Sequence, residues 1–150
     1  AEPCATVARE PGRAMSAPDS RGLEAANATF YERFEAQDLD AMDELWAHGD
    51  DVFCVHPGSE LVVGWGPVRR SWAAIFAATG YLQFIVTDVR VHAEGAAGWV
   101  ACTENILSGR DVGGDLDAGK AVATNLFVWH EGAWRMTAHH ASPVLRRVAG

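Results

Sequence analysis

Apolar positions recur at helical spacing three times in the first half of the chain, then at strand spacing to its end. From about Arg21 to Gln37, Leu23, Ala26, Phe30 and Phe34 fall on one side and Glu24, Glu32, Arg33 and Glu35 on the rest, which predicts an amphipathic helix. Asp19 or Ser20 is placed to cap it. Asp38 can cap a shorter second helix that carries Leu39, Met42, Leu45 and Trp46 on one side and ends at Gly49-Asp50. Gly66-Pro67 reads as a third helix start, with proline at the first helical position. Its stripe of Val68, Trp72, Ile75 and Phe76 runs down to Thr79-Gly80.

The period then changes. Tyr81 to Glu94 alternates, with Ile85, Thr87, Val89 and Val91 set against Gln83, Asp88, Arg90 and His92. After a turn at Gly95 to Gly98, Trp99 to Leu107 is rich in strand formers, and Gly109 to Gly119 is a polar loop. Ala121 to His130 and Ala133 to Ser142 are strands joined by a tight turn at Glu131-Gly132. Helices first and an antiparallel meander after them predict an α+β fold with the helices on one face of a sheet. There is no internal repeat, so one domain is expected over residues 21–145, with a flexible N-terminal tail at 1–20 and a short C-terminal tail at 146–150.

Between the second and third helices lies the stretch that carries chemistry. Asp51 to His56 is a short apolar strand ending on an imidazole, and Pro57-Gly58 breaks it. Pro57 disfavours the helical region for His56, leaving that residue extended at a strand end beside a turn. A second apolar run, Leu61 to Val63, closes on Gly64. An imidazole titrates near neutrality, so His56 is a candidate base; the competing role is to cap the Pro-Gly turn through the backbone.

Composition removes several function classes. The 150 residues carry a net charge of -8 with a pI near 5.1 and no basic stripe, which argues against a nucleic-acid partner. No apolar run is long enough to span a bilayer, and residues 1–20 lack the apolar core of a signal peptide, so a cytoplasmic protein is expected. Cys4, Cys54 and Cys102 are odd in number and far apart, as expected of reduced thiols. Asp115-Leu116-Asp117-Ala118-Gly119 lacks the third acidic position and the closing Glu of a calcium loop. With no close Cys/His spacing, phosphate loop or dinucleotide fingerprint, neither metal nor cofactor is expected. Arginine far outnumbers lysine, and Ala and Gly are abundant, a composition that suggests a GC-rich bacterial source.

Strand parity nominates further side chains. His140 shares a face with Trp134, Met136 and Ala138 and is expected to point inward, leaving His139 to point outward with Arg135 and Thr137. Glu104 shares a face with Val100, Cys102 and Ile106; a carboxylate there is costly unless paired or protonated. It can orient His56 or His140, or belong to a structural ion pair. Asn125, with Ala123 and Phe127, can donate to a ligand carbonyl or developing enolate, or tie down a strand edge. Phe30, Phe34, Trp46, Trp65, Trp72, Phe127 and Met136 are expected to wall an apolar cavity, although core packing would also explain such residues.

The order of elements over Arg21 to Pro143 resembles the NTF2-like superfamily, which includes ketosteroid isomerase and the SnoaL-like polyketide cyclases. The similarity is carried by Gln37-Asp38-Leu39-Asp40, Leu45-Trp46-Ala47, His56-Pro57-Gly58-Ser59-Glu60, Gly132-Ala133-Trp134-Arg135-Met136 and His139-His140-Ala141-Ser142-Pro143. The resemblance implies a cone, in which a curved antiparallel sheet wraps three N-terminal helices around an apolar cavity, and a homodimer through the outer face of the sheet. It places His56 where ketosteroid isomerase has its aspartate base and Asn125 where it has a protonated aspartate. Phe30 falls at the position of its oxyanion tyrosine, so steroid isomerisation itself is in question. The expected function is a cofactor-independent isomerase, cyclase or dehydratase acting on a small hydrophobic carbonyl compound through His56, with His140 or Glu104 assisting. The alternative is a non-catalytic ligand-binding or dimerisation module.

Overall fold

A computed structural model describes residues 17–111 and 113–146. Most of the expected N-terminal tail, Cys4 included, lies outside the described residues, as does nearly all of the C-terminal tail. Helix α1 runs Ser20–Ala36, capped by Asp19, whose carboxylate accepts from the Gly22 N–H at 2.7 Å. Gln37 ends it in the left-handed conformation, with its N–H on the Phe34 carbonyl. Helix α2 runs Leu39–Leu45 behind an Asp38 cap, so it stops before Trp46, which instead bridges to Met136. Helix α3 runs Trp65–Ala78, starting two residues before Pro67 rather than on it.

The strands are β1 Phe53–Val55, β2 Val62–Val63, β3 Tyr81–Glu94, β4 Ala97–Gly109, β5 Asp117–His130 and β6 Ala133–Pro143. They form one sheet in the order β2-β1-β6-β5-β4-β3. Its long meander is antiparallel as expected, but β1 pairs with β6 in parallel, so the sheet is mixed. That pairing sets Cys54 beside His139 and brings the end of β1, hence His56, to the last strand. Glu131 and Gly132 both take positive φ (50° and 77°), the backbone a two-residue hairpin needs.

Two bulges decide which way side chains face. On β6, Leu126 pairs with Ala138 but Phe127 pairs with Met136, so Thr137 is an extra residue. Its hydroxyl donates to the Leu126 carbonyl at 3.3 Å. On β3, Thr87 pairs with Thr103 and Arg90 with Ala101, again one residue too many, with Asp88 at φ 54°. Before that bulge Phe84 and Val86 pack on the core; after it Val89 and Val91 do. Ile85 is therefore exposed rather than sharing a face with Val89 and Val91, and it joins Trp99 and Val122 as large apolar residues exposed on the strands.

The core lies between α1, α3 and the sheet. Phe30 meets Trp72 edge-on at 5.6 Å, and Phe34 meets Trp72 at 4.8 Å and Phe84 at 4.6 Å. Helix α1 buries Asn27 and Tyr31 as well as Leu23, Phe30 and Phe34, a wider face than an apolar stripe alone indicates.

Candidate functional site

Where α1, α3, the turn after β1 and strands β3, β4 and β6 meet, they leave a cavity of about 480 Å³. Its lining is largely apolar, including Phe34, Ile75, Leu82, Phe84 and Ile106, and into this the sequence sets His56, Glu104 and His139. Depressions of about 390 to 630 Å³ occur elsewhere, but this one gathers two buried imidazoles and a buried carboxylate. Such a volume and lining suit a small ligand.

His56 is held by its neighbours. Its ring stands edge-on to Trp72 at 4.8 Å, and Nε2 lies 3.0 Å from Ser71 Oγ. Ser71 donates its single proton to the Val68 carbonyl at 2.6 Å, so its oxygen can only accept from the imidazole. His56 thus carries its proton on Nε2, and Nδ1 keeps the lone pair. Burial pulls its pKa from 6.5 down to about 4, so the ring is neutral at pH 7.

His139 replaces His140 in the site. It is 1% exposed, whereas His140 points to solvent. The expectation that His140 faces inward is corrected by the Thr137 bulge: one extra residue on β6 inverts the alternation beyond Met136. The ring of His139 packs between Phe30 at 4.9 Å and Trp72 at 5.7 Å, and its centroid lies 6.2 Å from that of His56. Its Nδ1 meets Asn125 Oδ1 at 2.6 Å.

Asn125 joins the rest of the buried polar groups. Its amide donates to Asn27 Oδ1 at 2.8 Å and to the Tyr31 hydroxyl oxygen at 3.2 Å, and Tyr31 donates in turn to Glu104 Oε2 at 2.6 Å. Both amide protons are spent, so its oxygen takes the His139 Nδ1–H, which leaves His139 Nε2 as an acceptor. Burial, then repulsion from His56 and His140, lowers the His139 pKa to about 3. Burial raises the Glu104 pKa, although the Tyr31 hydrogen bond works against the rise. Burial, reinforced by the Glu104 charge, drives the Tyr31 pKa far up, so the phenol keeps its proton. Cys54, whose Sγ lies 3.4 Å from His56 Nε2 and 3.8 Å from Nδ1, is a buried thiol whose pKa also rises, which makes it a poor nucleophile.

Of the residues nominated from sequence, His56, Glu104 and Phe34 line this cavity. Asn125 does not: it is fully buried behind His139 with its hydrogen-bonding capacity spent, so it cannot donate to a ligand carbonyl. Phe30, Trp72, Phe127 and Met136 belong to the packed core rather than to the lining. Trp46 packs against Trp65, which stacks on His48 at 4.6 Å, away from the cavity. Sequence reasoning missed His139, Tyr31 and Asn27. The odd spacing between Met136 and Ala141, both buried, is the trace the bulge leaves in the burial pattern of β6. Among the described residues, no group of three His, Cys, Asp or Glu side chains is arranged to hold a metal, and no helix is long and apolar enough to cross a membrane.

Comparison with known proteins places this geometry. A proposed dehydratase of the NTF2-like family from Streptomyces avermitilis is 41% identical, with a TM-score of 0.79 over 84% of this chain and 96% of that one. A proposed calcium/calmodulin-dependent protein kinase type II association domain from Thiobacillus denitrificans is 32% identical, with a TM-score of 0.72 over 81% of this chain and 94% of that one. F-box protein SKIP8 of Arabidopsis thaliana is 30% identical over 126 residues, which are 84% of this chain. The chain spans about half of that relative's length (51%). The SnoaL-like domain model matches residues 23–146, and with it the chain belongs to the SnoaL-like domain family, on an NTF2-like fold.

Proposed function

We propose that this chain is a small-molecule enzyme of the isomerase, cyclase or dehydratase type, moving a proton with its own side chains inside the 480 Å³ cavity. The observation that carries this reading is the convergence of His56, His139 and Glu104 on one otherwise apolar hollow. Isomerisation, cyclisation and water elimination all need a proton removed at one atom and delivered at another. His56, neutral and with its lone pair on Nδ1, is the base. Glu104, with its pKa raised and Tyr31 on one oxygen, is the group that returns a proton. The similarity to a proposed dehydratase at 41% identity supports the class of reaction.

The test is a panel of small hydroxylated and carbonyl ring compounds, followed by absorbance and mass. Where one is turned over, His56→Ala and Glu104→Gln are each expected to lower kcat by about 10²–10⁴-fold, the usual worth of a positioned acid or base. Undiminished turnover in both variants contradicts the mechanism. A second reading, a pocket that holds its ligand unchanged, is favoured by one observation: burial leaves both imidazoles weakly basic. Saturable binding without turnover across the panel selects it.

A further inference from the structure

Most of the polar atoms facing the cavity already have partners within the protein. The Nε2–H of His56 goes to Ser71, and the Nδ1–H of His139 goes to Asn125. Thr79, also on the lining, spends its hydroxyl proton on the Ile75 carbonyl at 2.8 Å. Neither ring keeps a free proton; His139 Nε2 keeps an unshared lone pair, while His56 Nδ1 has the Cys54 thiol 3.8 Å away. Glu104 receives the Tyr31 hydroxyl on one oxygen and keeps the other for a ligand. The remaining lining hydroxyls belong to Ser59, which is exposed, and Ser108, which is half-buried. The deep part of the cavity thus offers the His139 lone pair and the Glu104 carboxyl proton inside an apolar wall.

An acceptor left without a proton in such a place costs free energy, and so does a ligand oxygen pressed against it. A carbonyl entering first would leave the His139 lone pair without a proton, and a carboxylate would also bring a charge into the apolar wall. We infer that the cavity takes an uncharged ring compound that enters hydroxyl first, its O–H donated to His139 Nε2 and its oxygen accepting from the Glu104 carboxyl. The inference rests on this cavity being the ligand site and adds the substrate class: the reacting end carries a hydroxyl, and any carbonyl sits towards the mouth, within reach of Ser59 or Ser108. Water elimination suits this orientation, because the hydroxyl is then beside the group that can protonate it as it leaves.

The test needs no knowledge of the natural substrate. Binding of 2-naphthol, 2-methoxynaphthalene and 2-naphthoate to the wild-type protein is measured by calorimetry, with the ring nitrogens of His56 and His139 followed by NMR. The three probes share an apolar body and differ in whether they donate, only accept, or carry negative charge. The expected result is that 2-naphthol binds about tenfold or more tightly than either other probe, the worth of one well-made hydrogen bond, and shifts both imidazoles. Equal or tighter binding of the ether or the carboxylate, with both rings still perturbed, overturns the hydroxyl-first orientation while leaving the cavity as the ligand site. Failure of all three to perturb either ring at millimolar concentration overturns both.

Discussion

Asn125→Leu is expected to be among the most destabilising substitutions of similar size in this protein. Leucine has the branching of asparagine but is bulkier, so overpacking adds to the cost, and the change removes the partner of His139 Nδ1–H, the donor to Asn27 Oδ1 and the donor to the Tyr31 oxygen. All four residues are at least nineteen-twentieths buried, so water cannot substitute without opening the core. Each stranded buried group costs about 1–3 kcal/mol, which makes a loss of at least about 3 kcal/mol the expectation in urea denaturation. Asn125→Asp should behave differently: it keeps an acceptor for His139 and supplies a charge that favours the imidazolium, so the His139 pKa should rise. A Leu variant as stable as wild type would show that these groups do not form one hydrogen-bonded unit.

The second large effect is a loss of stability in mild acid. His56 and His139 have folded-state pKa values near 4 and 3, against about 6.5 in an unfolded chain. Between those limits the unfolded chain binds protons that the folded one refuses, so stability falls as pH drops from about 6.5 and levels off only below the folded values. At about 1.4 kcal/mol per pKa unit, His139 alone accounts for roughly 3–5 kcal/mol of that loss. Glu104 works in the opposite sense. Its raised pKa means the folded state holds a proton longer, which favours the acid side of its window. One raised carboxyl opposes two depressed imidazoles, so the denaturation midpoint should fall between pH 6.5 and pH 4. Tyr31 adds an alkaline limb: stability should fall as pH rises past the ordinary tyrosine value near 10, because the folded phenol keeps its proton. A midpoint that holds steady from pH 6.5 to 4 would mean that neither ring is buried neutral.

Much of this fold was legible because local signals agree with the global arrangement. Asp19 and Asp38 cap the helices they precede, and Glu131-Gly132 makes the last hairpin. The placement of His56 followed from Pro57, which acts on its immediate neighbour. Glu104 and Asn125 were placed inward because β4 and β5 keep their alternation through those positions. What failed has one physical cause. Parity along a strand assumes no extra residue, and a bulge at Thr137 and another near Asp88 break that assumption, so His139 and His140 exchange places and Ile85 turns outward. Neither bulge is announced by a residue type that demands one. Tyr31 lies off the apolar stripe, and it is buried because a helix enclosed by a sheet buries more of its circumference than such a stripe shows. The parallel pairing of β1 with β6 joins segments some 80 residues apart, beyond the reach of local pattern.

The site depends on two imidazoles being held neutral, each in one tautomer. Long-range nitrogen–proton correlation NMR of histidine-labelled protein from pH 5 to pH 8 measures that directly. The predicted result is His56 protonated on Nε2, His139 protonated on Nδ1, and neither ring titrating across the range. A midpoint near 6.5 for either ring, or nitrogen shifts averaged between tautomers, would contradict it.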